Sequence, residues 1–237
     1  KGAIEMALKN YEQAIKSYQA AIQIDPFFAK AHMNLGLALS ELNKIDNALA
    51  SYKKAIEIKP DFPEAYNNLG NLFKQKGDFE TAMESYEKAI EIKPDFAEAY
   101  NNLGTVLSEK GNFEDALINY KKAKEIKPDY LTAAWNLCGT SNNITEARKY
   151  LENCISIDPK FDEANITYSA IDYYEGKKEN FITFAKGVKK DHPYVRSFKW
   201  VFDLPFLPKL FFHRWALFDY VIERSEMDRP FYEFGVW

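Results

Sequence analysis

Residues 63–96 read PEAYNNLGNLFKQKGDFETAMESYEKAIEIKPDF, and residues 97–130 read AEAYNNLGTVLSEKGNFEDALINYKKAKEIKPDY. Aligned end to end, the two stretches agree at Asn-Asn-Leu-Gly, at an alanine and a tyrosine of their second halves, and at a closing Ile-Lys-Pro-Asp-aromatic. The offset is 34 residues, and it extends outward along the chain. Pro26, Pro60, Pro94 and Pro128 obey it, as do Gly36, Gly70 and Gly104, and Ala48, Ala82 and Ala116. Tyr18, Tyr52, Tyr86 and Tyr120 keep the same spacing, and so do Ala21, Ala55, Ala89 and Ala123. Self-similarity at such a period signals stacked supersecondary units, none of which can bury its apolar stripe alone.

Each unit reads as two helices. In 79–92, Phe79, Ala82, Met83, Tyr86, Ala89 and Ile90 recur at three- and four-residue steps, which places them on one helical stripe. Gly77, Gly111 and Gly176 fall between the two helices of their units, where a left-handed residue ends the first helix, and Asn43 fills the same slot. Asp78 and Asn112 follow as N-cap candidates. Each unit's proline then ends the second helix by restricting the residue before it. Gly36, Ala48 and their equivalents are small enough to let helices approach closely.

These residues, at these offsets, resemble the tetratricopeptide repeat family. The resemblance implies an all-α, right-handed superhelix, an α-solenoid of helix–turn–helix units. It covers residues 1–195: a partial unit 1–28, full units 29–62, 63–96 and 97–130, and weaker units 131–161 and 162–195. Unit 131–161 keeps Leu137, Ala147 and Pro159 but has lost three residues near its inter-helix turn. Unit 162–195 keeps Gly176 and Pro193, with Phe181 in place of a small alanine. Residues 196–237 are expected to form a separate aromatic segment, either a cap on the solenoid or a linker to a further C-terminal domain.

Composition narrows the class. The chain has 237 residues, 46% hydrophobic and 28% charged, ordinary proportions for a globular protein. A net charge of −4 gives no electrostatic footprint for nucleic acid. No apolar run approaches the ~20 residues of a membrane span. Two cysteines make no disulfide framework and too few ligands for zinc. A reducing compartment, the cytoplasm, is the expected location. The start at Lys1 reads as that of a piece of a longer protein.

In the family's architecture the first helix of each unit lines a concave groove. Asn34, Asn68, Asn102 and Asn136 recur at 34-residue steps there. Asn67 and Asn101 precede two of them, and Asn71 lies one turn further on. A side-chain amide both donates and accepts, so such a row can pair with the N–H and C=O of an extended peptide without reading its sequence. Similar rows occur in the peptide-binding superhelix of the protein O-GlcNAc transferases. Side chains of the peptide would lie against Leu37, Thr105 and Trp135. The alternative is a solvated polar position frequent in such repeats. The positions that carry basic clamps in chaperone-binding members hold Met33, Asn67, Asn101 and Trp135, with Lys30 the one basic residue of note, so a carboxylate clamp is not expected. The partner expected is a protein or extended peptide, with self-association through the solenoid ends or C-terminal segment as a further mode.

Nothing in 1–195 points to catalysis, a cofactor or a metal. Cys138 takes the slot of the unit glycine and Cys154 that of the second alanine, both packing positions. His32, His192 and His213 lack metal-ligand spacing. The C-terminal stretch is different, since 14 of the 37 aromatic residues lie in 194–237. Residues 202–208 are too proline-rich for one helix. Residues 209–224 read as a helix with Leu210, Phe211, Trp215, Phe218 and Val221 or Ile222 on one side. It could cap the solenoid's open end, dock on a neighbouring domain or second protomer, or lie on a membrane surface. The final string, 229–237, reads as a short strand ending Glu233-Phe234-Gly235. It resembles the start of the S-adenosylmethionine-dependent methyltransferases, including the macrocin O-methyltransferase-like group. That implies Glu233 and Gly235 at the start of a cofactor turn, with S-adenosylmethionine the cofactor of a following domain; the alternatives are an ordinary C-terminal tail or the first strand of another α/β domain. The repeats would then be the substrate-recognition arm of a methyltransferase, or less readily of a glycosyltransferase.

Overall fold

The computed structural model of the chain describes residues 2–141, 143–174 and 177. Gly176, Phe181, His192, Pro193, His213, the segment 196–237 with its expected helix, and the Glu233-Gly235 turn lie outside the described residues. Among those described, helices follow one another with no strand: α1 (Gly2–Ala7), α2 (Tyr11–Ile24), α3 (Ala29–Glu41), α4 (Ile45–Ile58), α5 (Pro63–Gln75), α6 (Phe79–Ile92), α7 (Ala97–Glu109), α8 (Phe113–Ile126), α9 (Leu131–Thr140), α10 (Ile144–Ile157) and α11 (Asp162–Tyr174). The chain divides into two compact units. One ends at Lys127 and holds α1–α8; the other begins at Pro128 and holds α9–α11 among its described residues.

In the first unit, α3 packs on α4, α5 on α6 and α7 on α8, and each hairpin leans on the next. Tight turns make the hairpins. Gly77 and Gly111 adopt φ +77° and +83°, where a side chain would be strained, and Asn43 adopts φ +57° in the same slot. The following residue's N–H then reaches back to the helix, as from Asp78 to the Phe73 carbonyl at 3.0 Å and from Asn112 to Leu107 at 2.8 Å. Asp78 caps α6, its Oδ1 accepting from the Thr81 N–H at 3.2 Å. Asn112 occupies the N-cap of α8 without a side-chain bond there, so the cap expected of it is one of position only. The second helices end alike. Lys59, Lys93 and Lys127, each before a proline, leave helical geometry at φ near −130° (−131°, −133°, −128°).

What sets the separation of the paired helices is a ring against a glycine. A Cβ on Gly36 would stand 2.6 Å from the Tyr52 ring, one on Gly70 2.6 Å from Tyr86, and one on Gly104 2.8 Å from Tyr120. The small residue thus receives an aromatic ring from the partner helix, more than a bare backbone. Tyr52 and Tyr86 are fully buried, in cores completed by Ala48, Ala55, Ala82 and Ala89.

The second unit solves the same problem differently. Helix α9 has 10 residues where α7 has 13, so the three missing residues come from the last turn of the first helix. Its C-cap Ser141 is extended, at φ −65° and ψ 136°. The Ser141 hydroxyl donates to the Leu137 carbonyl and the Thr140 hydroxyl to the Asn136 carbonyl, both at 2.8 Å. Cys138 stands where Gly70 and Gly104 stand, and the fully buried Leu151 takes the tyrosine's place; both belong to one apolar cluster with Ala147 and Cys154. A larger residue on one helix is matched by a smaller one on the other. Helices α10 and α11 are tied by Arg148, which pairs with the buried Asp172 at 2.8 Å and lies over the Tyr168 ring at 4.7 Å.

Gly70→Ala tests the ring contact. Alanine gains about 1 kcal/mol of helix propensity, but overpacking against an immobile ring costs about 1–3 kcal/mol. Chemical denaturation is expected to show net loss of stability, whereas a stabilised Gly70→Ala protein would contradict this account of hairpin packing.

Candidate functional site

Helices α3, α5 and α7, the leading helices of successive hairpins, pack side by side in the first unit. Asn34, Asn68 and Asn102 hold the same position on each and are half-buried. Their neighbours differ. Asn67 and Asn101 are buried, at 7% and 4% exposure, where α3 carries the equally buried Met33. Between α5 and α7, the Asn102 Nδ2 donates to Asn67 Oδ1 at 3.0 Å.

One turn along, the three helices carry Leu37, Asn71 and Thr105. Asn71 is exposed, and its Oδ1 accepts from the Tyr86 hydroxyl at 2.7 Å. The Thr105 hydroxyl donates to the Asn101 carbonyl at 2.9 Å, with the Tyr120 hydroxyl 3.5 Å away. Leu37, half-buried, is the apolar member. The tyrosine that fills the glycine notch therefore also reaches the leading helix's polar surface in two of the three hairpins. The 15-residue spacing from Asn71 to Tyr86 and from Thr105 to Tyr120 was the available sequence signal, as was the 35-residue step from Asn67 to Asn102.

Near Asn34 a cleft of about 670 Å³ opens against α1 and α2, lined also by Lys16, Ser17, Tyr18, Phe28 and Lys30. Beside the row, Glu98 pairs with Lys127 at 3.5 Å and Lys74 with Glu109 at 3.7 Å, exposed pairs of small energetic weight.

The remaining two expected groove residues are in the second unit. Asn136 is half-buried on α9, and the Trp135 ring meets Phe161 edge-on, centroids 5.1 Å apart. Cys138 and Cys154 are free and buried. Burial pushes the Cys138 thiol far up, with Cys154 adding to the shift, so neither the nucleophilic nor the ligating form is favoured there. Among the described residues no group of His, Cys, Asp or Glu is arranged to hold a metal ion, and no helix is long and apolar enough to cross a membrane.

The buried tyrosines carry a pH signature. Burial raises the phenol pKa of Tyr52, Tyr86 and Tyr120 above the ordinary 10.0. Above that pH the unfolded chain loses phenol protons that the folded chain keeps, so the tyrosines' contribution to stability is constant below about pH 9 and is lost as pH rises past about 10. Tyr86→Phe removes one such group and should make that fall shallower, while losing about 1 kcal/mol at neutral pH with the Asn71 bond. Urea denaturation across this pH range measures both effects; a fall as steep in Tyr86→Phe as in the unaltered chain would contradict the assignment.

Comparison with known proteins places the fold. A family profile described as "TPR repeat" matches residues 2–43, 38–77 and 70–111, and profiles described as "Tetratricopeptide repeat" match 97–130 and 134–161. No curated protein matches the chain. Among solved structures, PilF of Pseudomonas aeruginosa is similar at 17% identity and TM-score 0.75, over 84% of this chain and 93% of that one. PilW, described as a widely conserved type IV pilus biogenesis factor, is similar at 22% identity and TM-score 0.71, over 85% and 94%. YrrB, described as a TPR protein with an unusual peptide-binding site, is similar at 22% identity and TM-score 0.60, over 78% and 99%.

Proposed function

The chain belongs to the tetratricopeptide repeat family, and from that premise we propose that it is a non-catalytic binding scaffold whose leading helices hold an extended peptide segment of a protein partner. The observation that carries this is the placement of Asn34, Asn68 and Asn102 at one position on three adjacent helices, half-buried, so that each amide keeps a face a ligand can reach. Packed helices lie about 8–10 Å apart, which is about three residues of extended chain. Successive asparagines would then meet every third residue of the peptide, pairing with its main-chain groups. Recognition of that kind tolerates varied side chains. Leu37 would add an apolar contact, and Asn71 a polar one. The peptide-binding site named for the YrrB structure is consistent with this use of the fold. In the second unit, Asn136 and Trp135 would serve the same purpose on α9.

The test uses a main-chain ligand without a chosen sequence, a fully degenerate pool of fluorescein-labelled dodecapeptides titrated against the chain. Asn68→Ala with Asn102→Ala is expected to weaken binding by about 1 kcal/mol for each amide lost, while thermal stability changes little. Undiminished binding by the double variant would overturn the proposal.

A further inference from the structure

The asparagine row is uneven, and its unevenness has a physical cause. Among Asn34, Asn68 and Asn102, Asn102 is the one whose side chain is held by a second side chain, through the 3.0 Å bond from its Nδ2 to Asn67 Oδ1. Asn67 sits at 7% exposure, too deep to share its carbonyl with an outside ligand. In the hairpin before, the position equivalent to Asn67 holds Met33, whose thioether is a poor acceptor. Asn68 thus has no matching rung. From this we infer that Asn67 is a positioning residue, and that it fixes the Asn102 amide with Nδ2 committed to the protein and Oδ1 presented to a ligand N–H. The inference rests on the peptide-binding proposal and deepens it. Asn102 is a prepaid acceptor whose rotamer freedom is lost on folding, whereas Asn68 loses its own only on binding. The buried half of each Asn-Asn pair is then not part of the ligand surface, but sets the orientation of the exposed half one repeat later.

The contrast is measurable without a ligand. In the unaltered chain the Asn102 side-chain amide should be the more ordered on the nanosecond timescale by nitrogen relaxation, and the Asn34 and Asn68 amides less so. Equal mobility of Asn68 and Asn102 would overturn the inference. With the degenerate dodecapeptide pool, Asn102→Ala and Asn67→Met should each lose about five-fold in affinity, and the two together no more than either alone. Methionine is chosen because the chain already accommodates it at position 33. Asn67→Asp keeps an acceptor for Nδ2 and should bind as the unaltered chain does. Full affinity in Asn67→Met beside a loss in Asn102→Ala would overturn the positioning role and leave the groove standing. Full affinity in Asn102→Ala would overturn the groove proposal, and the inference with it.

Discussion

The structure depends on a tyrosine ring lying on a glycine. In each full hairpin of the first unit the ring of the second helix enters the space that a Cβ of the first would fill, at 2.6–2.8 Å from that missing atom. The contact is apolar and close, and it brings two helices together at a fixed height along their axes. Gly2 and Tyr18 repeat it in the partial hairpin at the start. Because the ring is pinned, its hydroxyl emerges at a defined place on the leading helix, beside Asn71 or Thr105. Core packing and surface chemistry are therefore coupled through one side chain. Where the pair is replaced, as by Cys138 and Leu151, the hairpin survives because the volume is redistributed across the interface.

Most of this was legible from the 34-residue offset, since period, turn residues and proline stops each have a local cause. Gly77, Gly111 and Asn43 all take the left-handed geometry read from their places. What was not legible depends on neighbours. Asn112 looks like a cap as much as Asp78 does, yet only Asp78 closes a bond to its helix. The glycines suggested backbone approach, and the structure supplies a ring sixteen residues on. The three residues missing near position 141 could have shortened either helix or the turn. Ser141 decides it, because its hydroxyl can satisfy the Leu137 carbonyl and end α9 early.

The groove residues were named from spacing alone, and spacing cannot tell a buried asparagine from a reachable one. Asn67 and Asn68 are adjacent in sequence, but one step around a helix turns a side chain by about 100°, from the seam between helices to the open face. The outer turns show the same limit. Phe62 and Phe96 are buried beneath Lys59 and Lys93, whose ammonium groups sit 4.9 Å from the ring centroids. Phe28, the equivalent aromatic, is 45% exposed; Asp25 stands in the lysine's place there, and its carboxylate accepts from the Phe27 N–H.

The central claim is that the leading helices, and not the second helices, receive a peptide main chain. Side-chain amide resonances of the nitrogen-labelled protein test it most directly, followed as the degenerate dodecapeptide pool is added. Shifts at Asn34, Asn68 and Asn102, with Asn47 on α4 and Asn119 on α8 unmoved, are the predicted result. Shifts confined to Asn47, Asn119 and their surroundings, or none at the three groove amides while the pool binds, would contradict it.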